Sequence, residues 1–105
     1  MTCPVEHSLI INYQDNVVFT SDSHWLHPLF ELNDFLQEKQ IPVKELFLRD
    51  KIAGKAAACM MAYLGITKCH IELMSKRAVP VFEVAGIVYS YDRMVEQIDC
   101  RTEYL

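Results

Sequence analysis

One hairpin followed by three helix-to-strand repeats is the order read along this chain, and few folds accommodate it. "SLIINYQDNVVFTS" (8–21) reads as a β-hairpin: Ile10, Ile11, Val17, Val18 and Phe19 are strand formers, and "QDN" supplies turn residues between them. "LHPLFELNDFLQEKQ" reads as a helix, with Pro28 suited to its first turn and Leu29, Leu32, Phe35 and Leu36 at helical spacing. Pro42 closes the connection that follows. "VKELFLR" (43–49) is a short strand, apolar enough to be central. A helix is then expected from about Lys51 to Leu64, with Gly65 where a C-cap glycine belongs.

"TKCHIELM" is the next strand. "SKRAVPVFEVAG" is a helix weakened by Pro80 that ends at Gly86, and "IVYSYDRMVEQI" is a last strand or a pair of short ones. The tail "DCRTEYL" has no assignment. The order β-β-α-β-α-β-α-β implies an α/β fold, with a mixed, mostly parallel sheet and helices on its faces.

No linker, repeat or low-complexity tract interrupts the sequence, so residues 1–105 are read as a single domain. With 51% hydrophobic and 23% charged residues, the chain can build one core. Its net charge of -4 disfavours general DNA or RNA binding, which needs clustered Lys and Arg. No apolar stretch is long enough to span a bilayer, and "MTCPVEHSLIIN" lacks the features of a signal peptide. Cys3, Cys59, Cys69 and Cys100 are scattered without paired spacing. A cytoplasmic protein with free thiols is the expectation.

In an open α/β sheet, ligands sit beyond the carboxyl ends of strands, at helix N-termini. That rule points to the junction "RDKIAGK" (49–55). Three cations there oppose the positive end of a helix, each by about 0.3–1 kcal/mol. An anion would resolve the conflict, as would solvation of the long side chains, and Asp50 is a candidate N-cap. A P-loop is excluded, because Arg49 stands where its first glycine should be and Ala56 replaces the Ser or Thr that binds magnesium. The competing reading is that Gly54, Ala56, Ala57 and Ala58 let the helix pack closely on the sheet, with Lys55 in solvent.

Other chemistry is weaker. Cys3 with His7, His24 with His27, and Cys69 with His70 lack the spacing of a structural zinc site. Cys59 reads as a small core residue, and Glu31 with Asp34 as a solvated face. Trp25 could stack on a flat ligand but reads better as a core edge or interface anchor.

The element order and "LFLRDKIAGKAAACMMAYLGITKCHI" resemble a bacterial family of small proteins still labelled a domain of unknown function. The most specific match is Asp50-Lys51-x-x-Gly54-Lys55-Ala56-Ala57-Ala58. The resemblance implies a three-layer α/β/α fold of the cytidine deaminase-like type. Deaminases of that fold hold zinc through His-Ala-Glu at one helix start and Pro-Cys-x-x-Cys at the next. Here the first start reads "HWLHPLFE", and alignment back from Gly65 puts the zinc cysteines at Gly54 and Ala57. Neither binds a metal, so the resemblance carries the fold and not zinc deamination, and no cofactor is expected. Arg101 matches an Arg of the family's C-terminal Asn-Arg pair, with Cys100 in place of the Asn.

These readings converge on a small anionic ligand, with a nucleotide as one candidate, held by Asp50, Lys51, Gly54, Lys55 and Arg101. The alternative is a homodimeric structural or interaction protein pairing through helix faces or an exposed edge strand near 89–95. A zinc hydrolase built on His24, His27 and Cys100 is a third.

Overall fold

The described residues form five strands and three helices in the order β1 (Leu9–Tyr13), β2 (Asn16–Ser21), α1 (His27–Glu38), β3 (Leu46–Ala53), α2 (Lys55–Leu64), β4 (Lys68–Ser75), α3 (Val79–Ala85) and β5 (Val88–Val95). The computed structural model describes residues 7–24 and 26–98. Short 3-10 turns at Val43–Glu45 and Lys76–Ala78 lead into β3 and α3.

The strands lie in the order β2-β1-β3-β4-β5. β1 runs antiparallel to both β2 and β3, whereas β3, β4 and β5 are parallel. Four strands therefore point one way and β1 points the other. The crossovers through α1, α2 and α3 all step in the same direction across the sheet. Right-handed connections then place the three helices on one face, where α2 touches both α1 and α3. Leu9, Ile11, Leu48 and Ile71 of the sheet meet Leu29, Leu32, Met61 and Phe82 of the helices in one core.

The opposite face is open and mostly polar, with Ile10, Phe47 and Val88 among its apolar residues. Leu46 and Leu48 of β3 are buried, while Phe47 is half-buried and Arg49 exposed. In β4, Cys69 and Ile71 are buried, while Lys68 and Glu72 are exposed. This period-two alternation marks a sheet with one packed face and one open face. Among the described residues the helices make one layer on the sheet, two layers in all where three were expected. No described helix is long and apolar enough to cross a membrane.

The hairpin closes with a two-residue turn at Gln14 and Asp15, both with positive φ (53° and 67°). That is the backbone that suits the strand twist, and Asn-Gly usually supplies it. The register shifts between Ile11 and Asn12, so Val18 has no partner on β1.

Three boundaries differ from those expected. The strand expected at 43–49 begins at Leu46 and runs on to Ala53, and α2 begins only at Lys55. The reason is tertiary. Lys51 N–H donates to the Ser8 carbonyl at 3.0 Å, and Ile52 and Ala53 pair with Leu73 and Met74 of β4. Two neighbouring strands thus extend a ladder through a stretch whose composition reads as a helix start. Asp50 is a strand residue and not an N-cap; Gly54 holds that place in extended backbone. Pro80 lies in the first turn of α3 and begins that helix, where a missing N–H matters little. β5 is one continuous strand at the sheet edge. Both glycine stops hold: Gly65 and Gly86 have φ of 90° and 73° in left-handed C-cap positions.

Candidate functional site

α2 starts at the carboxyl end of β3. Glycine has no side chain to cap a helix, and no side-chain cap is made at Gly54. Ala56, Ala57 and Ala58 are buried, so this turn packs closely under the rest of the fold, as the small residues suggested. Lys51 and Lys55 are both exposed, and Gly54 itself is buried. The structure places Gly54 and Lys55 at the start of α2, and Lys51 three residues before Gly54 on β3, on the open face that Phe47 and Arg49 share.

Asp50 lies four residues before Gly54, on the core side of β3 two positions beyond Leu48. It is partly buried, and its Oδ1 accepts from Ile52 N–H at 3.4 Å. Burial pushes its carboxyl up to about 7 and outweighs the backbone N–H groups of Ile52 and Lys51, which act downward. Glu72 adds a smaller upward push. Burial, helped by the Asp50 carboxylate, raises the Cys69 thiol to about 12, so Cys69 is an inert core residue.

At the start of α1, Ser21 Oγ and Ser23 Oγ donate to the two carboxylate oxygens of Glu31 at 2.6 and 2.5 Å. These two bonds, assisted by His27, hold the Glu31 carboxyl below its ordinary value. Ser8 Oγ in turn donates to the carbonyls of Ser21 and Ser23. Glu31 is thus a tie between the end of β2 and α1, not the freely solvated carboxylate expected from its neighbours.

On the open face, His70 of β4 bridges to β5. Its Nδ1 is 2.7 Å from Ser90 Oγ and its Nε2 is 3.1 Å from Asp92 Oδ1. The residue types are those of a nucleophilic triad, but they sit on exposed strand surface, and a triad needs donors aimed at an oxyanion. The arrangement is a cross-strand clasp. Sequence reading missed it because Ser90 and Asp92 meet His70 only through the strand register.

Two hollows lie elsewhere. A polar basin of about 560 Å³ is lined by Asn12, Gln14, Asp15, Glu45, Phe47, Arg49 and Lys68. An apolar groove of about 440 Å³ runs between α2 and α3, with Cys59, Pro80 and Val84 among its lining. Cys59 is exposed there, which corrects its reading as a core residue. Among the described residues, no group of three or more His, Cys, Asp or Glu side chains is placed to hold a metal ion.

The family model for a domain of unknown function, DUF1893, matches residues 3–103. The chain belongs to the DUF1893 family. A crystal structure of a DUF1893 family protein (TM1506) from Thermotoga maritima is similar to it, with a TM-score of 0.76 and 26% sequence identity. The likeness covers 90% of this chain and 60% of that one, so this chain spans about three-fifths of the length of that DUF1893 relative. No curated protein matches it. Of the residues that sequence reading assigned to a site in this DUF1893 domain, Arg101 lies outside the described residues. So do Cys3, Trp25 and Cys100.

Proposed function

We propose that this DUF1893 chain is a cytidine deaminase-like domain without zinc chemistry. In this reading it binds a small anion, a nucleotide being one candidate, at the N-terminus of α2. The observation that carries the reading is the first turn of α2. It opens on an uncapped glycine at the carboxyl end of β3, with exposed Lys51 and Lys55 on either side. The backbone N–H groups after Gly54 would hold the anion, and the two lysines would add charge. Arg101 joins them on the strength of the family resemblance. Asp50, with a carboxyl near 7, would add a repulsive charge above neutral pH. The sheet order, one hairpin followed by parallel crossovers, supports the deaminase-like assignment.

Binding to the folded state raises stability by about 2.7 kcal/mol at a hundredfold excess over Kd. Inorganic phosphate or a nucleotide should therefore raise the melting temperature of the wild type, and Lys55→Ala should shrink that rise. A wild-type melting curve that neither phosphate nor any nucleotide moves would sink the proposal.

A second reading, homodimerisation, is favoured by one observation. Tyr63, Val84 and Val88 are 80%, 90% and 70% exposed, beside the apolar groove and the edge of β5 that is unpaired among the described residues. Light scattering should then show a dimer that Val84→Glu converts to monomer. A wild type that stays monomeric at the highest soluble concentration removes this reading.

A further inference from the structure

The polar basin lies at the amino ends of β3 and β4, on the open face of the sheet. We infer that it is a binding site for a small ligand carrying both a flat ring and a phosphate, the chemistry of a nucleoside monophosphate. The site is separate from the α2 junction. Seven residues of extended chain from Phe47 to Gly54 span roughly 20 Å.

The floor is Phe47. Strand alternation points it away from Leu46 and Leu48, so its half-buried ring lies on the open face with Asn12, Arg49 and Lys68. The exposed part of that ring offers a surface on which a base can stack. Asn12 is its partner across β1. Lys68 stands on the other side, one step before the Leu48–Cys69 pair. Arg49 follows two positions along β3 and shares the face. The ring is therefore flanked by a carboxamide, an ammonium and a guanidinium.

Arg49 and Lys68 are exposed, and neither makes an ion pair among the described residues. Two such cations converging on one hollow of a chain with net charge -4 suit an anion of one or two charges. A long polyanion would meet the repulsion of the whole acidic body.

The rim narrows the class further. Glu45 and Asp15 also line the basin. Two carboxylates would disfavour bare phosphate, but they accept hydrogen bonds from ring amino groups or sugar hydroxyls. A ligand with an anionic end and a donor-rich end satisfies both halves. The volume, about 560 Å³, falls within the range of small-molecule sites. The wall is the β1–β2 turn, where Gln14 and Asp15 hold positive φ without glycine.

The test is titration of the 15N-labelled full chain with adenosine, guanosine, cytidine and uridine monophosphates, mapped by amide shifts and quantified by calorimetry. Ribose 5-phosphate, inorganic phosphate and a short single-stranded RNA are further arms. At least one mononucleotide should shift the amides of residues 12–15, 45–49 and 68. Phe47→Ala should weaken it about tenfold or more, as should the Arg49→Gln, Lys68→Gln pair. Phe47→Leu, which keeps the apolar bulk, should also bind more weakly, and separates stacking from folding. Ribose 5-phosphate should bind more weakly than the full nucleotide. No mononucleotide binding to wild type overturns the inference, as does unchanged affinity in these variants. Tighter binding of the RNA overturns it in favour of a nucleic-acid surface. Shifts centred on 54–58 with none in the basin overturn it while supporting the α2 reading.

Discussion

Phe82→Ala should destabilise the chain by about 3–5 kcal/mol, the range for deleting a buried aromatic ring. Phe82 is fully buried and heads the largest enclosed side chains of the core. It sits in the seven-residue helix α3, far below the length at which a helix holds itself together. Its ring stacks on Tyr89 of β5, with centroids 5.1 Å apart. One side chain therefore fastens both α3 and the strand that α3 delivers to the sheet edge. A domain of this size has a total stability of about 5–15 kcal/mol, so the loss would leave a large unfolded fraction in a marginal case. Urea unfolding should show a lower midpoint with an unchanged slope. A change under about 1 kcal/mol would mean that α3 is held by something other than this contact.

Asp50→Asn should stabilise the protein at pH 8 and leave it nearly unchanged at pH 4. In the unfolded chain an aspartate titrates near 4, whereas in the fold burial pushes Asp50 up to about 7. Below about pH 4 both states hold the proton. Between about pH 4 and 7 the folded state keeps it and the unfolded state has released it, so stability falls as pH rises through this window. Above 7 the loss is complete. Three pH units correspond to about 4 kcal/mol. Partial contact of Asp50 with solvent cuts that to about 2 kcal/mol. Asparagine keeps an oxygen to accept from Ile52 N–H and carries no charge to bury. Denaturation at pH 4 and pH 8 decides the matter. If the variant is less stable than wild type at pH 8, the N–H partners of the Asp50 carboxylate outweigh its burial.

Local chemistry accounts for what could be read in advance. Gly65 and Gly86 stop helices because a left-handed C-cap suits a residue without Cβ. Pro28 opens α1 because a first-turn residue needs no N–H partner. The hairpin follows from strand formers on either side of "QDN". The candidate junction at Lys51, Gly54 and Lys55 was legible for the same reason: its residues are neighbours in the chain.

The features that escaped are non-local. Asp50 and Lys51 read as a helix start until β1 and β4 pair alongside them. Glu31 reads as solvated until Ser21 and Ser23 reach it across the end of a strand. His70 meets Ser90 and Asp92 through register alone, and Phe47 joins Arg49 and Lys68 because three strands lie in one order.

The sequence by itself determined the kind and order of the elements, because caps, turns and periodicity act within a few residues. Only the tertiary structure decided where β3 ends, which sheet face stays open and which charges share a hollow. Those outcomes rest on hydrogen bonds and packing between residues far apart in the chain, and no local pattern encodes them.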